Sequence, residues 1–135
     1  MDPGIPDFDK NEKGLLPVIV QDAETDRVLM LAYTNRQAWE KTMQTGRATF
    51  WSRSRNSVWV KGESSGNVQN VREVYVDCDA DTLLYKVEQV GGAACHEGYP
   101  SCFYRKITAE GVETSAYRVV NPEDLYSNSA DSNAR

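Results

Sequence analysis

Asp77-Cys78-Asp79-Ala80-Asp81, then Thr82-Leu83-Leu84-Tyr85-Lys86-Val87-Glu88-Gln89-Val90, then Gly91-Gly92-Ala93-Ala94-Cys95-His96-Glu97-Gly98-Tyr99-Pro100-Ser101-Cys102 holds every cysteine and the single histidine of this chain. The middle of the stretch places Leu83, Tyr85 and Val87 on one side and polar residues on the other, the period-two signature of a half-buried strand. Read as an extended segment, its start sends Asp77, Asp79 and Asp81 to one face and Cys78 to the other. Hard carboxylate oxygens and a soft thiol on one short peptide suit two different metals.

Working outward, Val68 to Val76 is a further strand, reached through the polar loop Glu63-Ser64-Ser65-Gly66-Asn67. Upstream of it, Arg47 to Arg55 and Val58 to Gly62 flank a turn at Asn56-Ser57 and form a hairpin with aromatics in both arms. Leu15 to Gln21 and Arg27 to Tyr33 form another, around Asp22-Ala23-Glu24-Thr25-Asp26. Between these hairpins the period changes. Thr34 and Gln37 fit a capping box, and Ala38, Trp39, Thr42 and Met43 share a helical face that stops at Gly46, which predicts one main helix over about residues 35–45. Cys102 to Thr108 and Val112 to Val120 make a last hairpin around Ala109-Glu110-Gly111. The expected fold class is α+β, mostly antiparallel, because strand and helix do not alternate. Residues 1–13 read as a flexible arm with packing from Gly14, residues 14–122 as one domain, and residues 123–135 as a polar tail with one helical turn over Glu123 to Tyr126.

With 135 residues and a net charge of −5, the chain can bury a sizeable core, and its overall field opposes nucleic-acid binding. No basic segment followed by an apolar one opens the chain, so a cytoplasmic protein is expected. Three cysteines without an export signal direct attention to metal chemistry rather than to disulfides.

Sixteen residues separate Cys78 from Cys95 and six separate Cys95 from Cys102, which is neither a zinc-finger nor a Cys-x-x-Cys spacing. Three protein ligands and an open position nevertheless describe catalytic zinc. The competing reading is three small buried side chains. His96, next to Cys95, is placed awkwardly for the same ion and suits a proton carrier better. Asp77, Asp79, Asp81 and Glu88 fall at four EF-hand ligand positions, but Thr82 stands where that loop needs Gly and the flanks are strands. Ser52-Arg53-Ser54-Arg55, Lys61 and the Ser65-Gly66 loop gather cations, hydroxyls and backbone N–H groups suited to phosphate. A zinc nucleobase deaminase lacks its blocks here, since His-x-Glu and Pro-Cys-x-x-Cys are missing. A non-catalytic, metal-stabilised binding module is the remaining rival.

Trp51-Ser52-Arg53-Ser54-Arg55, Trp59-Val60-Lys61-Gly62-Glu63-Ser64-Ser65-Gly66-Asn67, Asp77-Cys78-Asp79-Ala80-Asp81, and Cys95-His96 followed by Ser101-Cys102-Phe103-Tyr104-Arg105 resemble the blocks of the phosphoribosyl-AMP cyclohydrolase family of histidine biosynthesis, in family order over residues 14–107. The resemblance implies zinc ligands at Cys78, Cys95 and Cys102 and magnesium ligands at Asp77, Asp79 and Asp81. It also implies an intertwined homodimer in which Cys78 of one subunit shares zinc with Cys95 and Cys102 of the other. The implied reaction is attack of water on C6 of an N1-phosphoribosylated AMP, breaking the ring C6–N1 bond to leave an imidazole carboxamide. His96 would move the proton, and Arg53, Arg55, Lys61, Ser65 and Gly66 would hold the two phosphate ends. No pyrophosphohydrolase domain follows, so a single step is expected.

Overall fold

Residues 5–123 are described by a computed structural model. Strand β1 (Leu16–Asp22) buries Leu16, Val18 and Val20 and turns through Asp22–Asp26 into β2 (Val28–Thr34). The turn is closed by Asp22 N–H donating to the Arg27 carbonyl at 2.8 Å. Helix α1 (Arg36–Thr45) follows, then the hairpin β3 (Thr49–Ser52) and β4 (Ser57–Val60), then β5 (Gln69–Val76) and β6 (Leu83–Gln89). A small terminal hairpin, β7 (Arg105–Thr108) and β8 (Gly111–Thr114), closes the described chain. One helix and a strand-rich remainder make the class α+β, as expected.

The central sheet has the order β2-β1-β6-β5, and it is mixed rather than antiparallel throughout. β1 pairs antiparallel with β2, and β5 with β6, but β1 and β6 run parallel from Val18↔Leu83 to Asp22↔Val87. The β5–β6 reversal falls where the sequence reads as extended, whereas the β1–β2 turn was legible. The parallel join was not, because it links two strands some sixty residues apart through side-chain patterns that every buried strand shares.

One face of the sheet is covered. Leu83, Tyr85 and Val87 of β6 are at most 1% exposed and pack under α1 and β3. Tyr85 lies 6.2 Å from Trp39 and 6.1 Å from Phe50, ring centre to ring centre. Thr42 ties helix to hairpin by accepting from Thr49 N–H at 3.0 Å and donating to the Ala38 and Thr49 carbonyls. Met43 is exposed, which corrects the expected helical face at its edge. The capping residue is also corrected: Asn35, not Thr34, caps α1, with Oδ1 accepting from Ala38 N–H at 2.9 Å. Thr34 is the fully buried last residue of β2, and the chain leaves the strand only after it. Gly46 ends the helix in the left-handed conformation, φ 74°.

Two further expectations change at the ends. Packing begins before Gly14, because Phe8 is buried in the main core with the Arg36 guanidinium 5.2 Å above its ring. The last hairpin is shorter than expected and stands in solvent, with Ile107 83% and Val112 57% exposed. The expected helical turn reaches only Pro122 and Glu123; its remainder and the tail lie outside the described residues. No helix among the described residues is long and apolar enough to cross a membrane.

Candidate functional site

The predicted site residues fall into two groups at opposite ends of the sheet. At one end, which we call the acid end, β5 turns into β6 through Asp77–Thr82. The turn is closed by Asp77 N–H to the Thr82 carbonyl (3.0 Å) and Ala80 N–H to the Asp77 carbonyl (3.1 Å), with Ala80 at φ 66°. The expected extended conformation is therefore replaced by a tight turn. The aspartates still converge, since their ligand oxygens all lie within 4.8 Å of one another, but chain reversal brings them together instead of strand alternation.

The donors around the triad differ. Asp77 Oδ1 accepts from the N–H groups of Asp81 and Thr82 at 3.1 and 3.2 Å. Desolvation works to raise its carboxyl, but these N–H groups together with side-chain hydrogen bonds from Asp79 and Asp81 hold Asp77 below the usual carboxylate range. Asp81 is pushed up, first by its hydrogen bond with Asp79, then by desolvation and by the charges of Asp79 and Asp77. Like charges this close favour keeping a proton on one of them, and a divalent cation would take the place of that proton. The hard, mostly exposed oxygens fit magnesium, calcium or manganese. Lys10, from the segment expected to be loose, donates to the Asp79 carbonyl and lies 3.9 Å from its carboxylate. Cys78 is exposed on the same turn.

Arg53 belongs to this end. Its guanidinium stacks 3.9 Å above the ring centre of Tyr33, the penultimate residue of β2. Arg55 sits in the same β3–β4 turn, its N–H donating to Ser52 Oγ at 3.2 Å.

The thiol end lies where β6 finishes. A 3₁₀ turn (Val90–Gly92) leads into buried Ala93 and Ala94, and then Cys95, which is 4% exposed. Cys95 Sγ accepts from Glu97 N–H at 3.4 Å, and its backbone closes a turn with Gly98 and Tyr99. Cys102 is anchored to β2 through its N–H, which donates to the Leu29 carbonyl at 2.7 Å, and buried Ser101 donates to the Val28 carbonyl at 2.8 Å. His96 Nε2 lies 3.2 Å from Glu97 Oε1, and Glu97 Oε2 lies 3.8 Å from Arg118. Glu97 is a candidate that sequence reasoning overlooked, and its only signal was adjacency to His96.

Lys61 and the Ser65-Gly66 loop are also at this end. Lys61 is 8% exposed, its N–H donating to Ala48, whose own N–H reaches Gln69 at the start of β5. Asn67 at the end of the loop accepts at its carbonyl from Gln89 Nε2, 2.8 Å. Gly62 is required for the loop to close: at φ 81°, a Cβ there would sit 2.2 Å from the Asn67 carbonyl carbon.

β6 spans the two ends with seven residues, which at about 3.3 Å each places them roughly 20 Å apart. Cys78 is thus remote from Cys95 and Cys102 within one chain. Among the described residues, the aspartates are the group whose ligand atoms meet.

Comparison with known proteins follows this geometry. The profile of the family described as phosphoribosyl-AMP cyclohydrolase matches residues 30–104, which include the helix, both ends and all three cysteines. A phosphoribosyl-AMP cyclohydrolase from Desulforapulum autotrophicum is 61% identical over 121 residues, covering 89% of this chain and 96% of the relative. Those from Pelotomaculum thermopropionicum and Desulfatibacillum aliphaticivorans are 59% and 55% identical, covering 86% and 89% of this chain and 90% and 95% of the relatives.

Proposed function

The chain belongs to the phosphoribosyl-AMP cyclohydrolase family and is an enzyme of histidine biosynthesis, and on that premise we propose that each active site is built from two copies of it, the acid end of one facing the thiol end of the other. One observation carries the proposal: Cys78 and the pair Cys95 and Cys102 terminate opposite ends of one sheet. Three sulfurs so placed can meet on a single ion only when a second copy lies antiparallel to the first. A two-fold axis then makes two identical sites.

The uncovered face of the sheet supports the same arrangement. Leu31, Ile19, Leu84 and Tyr75 are register neighbours across all four strands. Leu31, Ile19 and Tyr75 are 48%, 36% and 49% exposed, an apolar row suited to a second copy.

Three thiolates suit zinc and three carboxylates suit magnesium. Bound there, zinc would supply Lewis acidity and magnesium a charge for a phosphate or the base. The protein's own residues do the rest. His96, its ring oriented by Glu97, would take a proton from the water that adds to C6 and return one to N1 as the C6–N1 bond breaks, leaving the carboxamide. Ser65, Gly66 and Lys61 at the thiol end and Arg53 and Arg55 at the acid end would each hold one phosphate of the substrate, in line with its two phosphoribosyl groups. The reaction would take place in the cytoplasm.

The test is Cys102→Ser, assayed with phosphoribosyl-AMP by the ultraviolet change on ring opening. Turnover is expected to fall by more than about 100-fold, a loss that even outer-shell changes at metal sites reach, while circular dichroism and Tm stay at wild-type values. Ring opening that survives full chelation would overturn the zinc reading. Collapse of the fold on chelation would favour a structural metal.

A further inference from the structure

We infer that the cleft beside the acid end is an anion subsite for one 5-phosphoribosyl group, with Lys13 and Arg53 as its paired cations; this rests on the substrate class proposed above. The cleft holds about 510 Å³, within the span of small-molecule sites, and is lined by Lys13, Tyr33, Asn35, Trp51, Arg53 and Asn56 among others. No carboxylate lines it, in a chain whose net charge is −5. Neither Lys13 nor Arg53 makes an ion pair among the described residues. A second cleft of about 540 Å³ makes the contrast, since it mixes Asp22, Glu24 and Glu88 with Arg27 and Arg72, and Arg72 is already held by Glu88 at 3.1 Å.

Three features make the first cleft a constructed site. The Arg53 guanidinium carbon is held 3.9 Å over the Tyr33 ring centre, and its N–H donors suit a phosphate. Asn35 caps the ten-residue helix α1, so the positive end of the helix dipole lies in the cleft wall. Lys13 is set by a local turn in which its N–H donates to Asn11 Oδ1 at 2.8 Å. Three residues earlier, Lys10 is bonded to Asp79. The segment Phe8 to Lys13 therefore runs from the core, past the aspartate turn, into the cleft. Tyr33 is a positioning residue here, acting through Arg53.

The experiment compares the full-length wild type with Lys13→Gln, Lys13→Arg and Arg53→Gln in two assays. Ribose 5-phosphate, with ribose as control, is titrated by calorimetry, and phosphoribosyl-AMP turnover gives KM and kcat. Loss of one charge-assisted contact is expected to weaken ribose 5-phosphate binding and raise KM by about tenfold in Lys13→Gln and Arg53→Gln, with kcat within about twofold and Lys13→Arg near wild type. Lys13 is exposed, so its substitution leaves the core intact. If wild type opens phosphoribosyl-AMP and Lys13→Gln keeps both its KM and its ribose 5-phosphate affinity, the subsite is wrong and the function stands. If ribose 5-phosphate binds through Lys13 but phosphoribosyl-AMP is not opened, the function is wrong and the subsite stands.

Discussion

The acid end and the thiol end assemble their donors in different ways. At the acid end, three carboxylates meet through the single turn Asp77–Thr82, which closes on its own backbone and is tied to the N-terminal segment by Lys10 and by Asp7 N–H to the Ala80 carbonyl. At the thiol end, Cys102 and Ser101 are positioned by carbonyls of β2 more than seventy residues away, and the Ser65 loop by Gln89. The first brings its carboxylates together by local chain reversal. The second depends on the whole sheet, and the shared-site proposal makes it depend on a second copy as well.

The strongest way to break this comparison is complementation. Cys78→Ser damages only the acid end and Cys102→Ser only the thiol end, so each homodimer should be inactive. Mixed and re-equilibrated, half of the dimers are hybrids with one intact site of two, and about a quarter of wild-type activity should return. No recovery under conditions that exchange subunits would place each site within a single chain.

A smaller effect is expected from Leu31→Lys, which puts a charge at the β2 end of the apolar row on the open face. Size-exclusion chromatography should show a monomer with wild-type circular dichroism, and turnover should drop at least about tenfold. A fully active dimer would move the interface elsewhere.

Two substitutions then sharpen the contrast between loop closures. Gly62→Ala, at the thiol end, must accept a left-handed conformation and a Cβ inside the Asn67 backbone. It should cost about 3 kcal/mol and lower Tm by about 10 °C. Asn35→Ala, near the acid end, removes only the N-cap bond to Ala38 and should cost about 1 kcal/mol. Thermal unfolding followed by circular dichroism measures both, and the reverse ranking would show that the loop has room that the coordinates deny it.

Much of this was legible in one dimension because it is local. The alternation of Leu83, Tyr85 and Val87, the turns of the β1–β2 and β3–β4 hairpins, and the helix stop at Gly46 each follow from a few neighbouring residues. Errors arose where a neighbour far along the chain decided. Thr34 fits a cap by its local pattern, but the burial that keeps it in β2 comes from the core. Phe8 reads as part of a loose arm because nothing near it in sequence shows the core it joins. Glu97, Lys13 and Tyr33 were overlooked because their partners His96, Asn11 and Arg53 matter only through side-chain geometry.

By itself the sequence determined the strand and helix segments, the α+β class and the identity of the metal-capable side chains, because periodicity, turn chemistry and ligand type are written residue by residue. Only the tertiary structure decided that β6 lies parallel to β1, and hence that Tyr33 with Arg53 joins the aspartates at one end of the sheet while Leu29 anchors Cys102 at the other. That choice rests on pairing between strands far apart in the chain, where many registers satisfy the same apolar pattern and the packed core alone selects one.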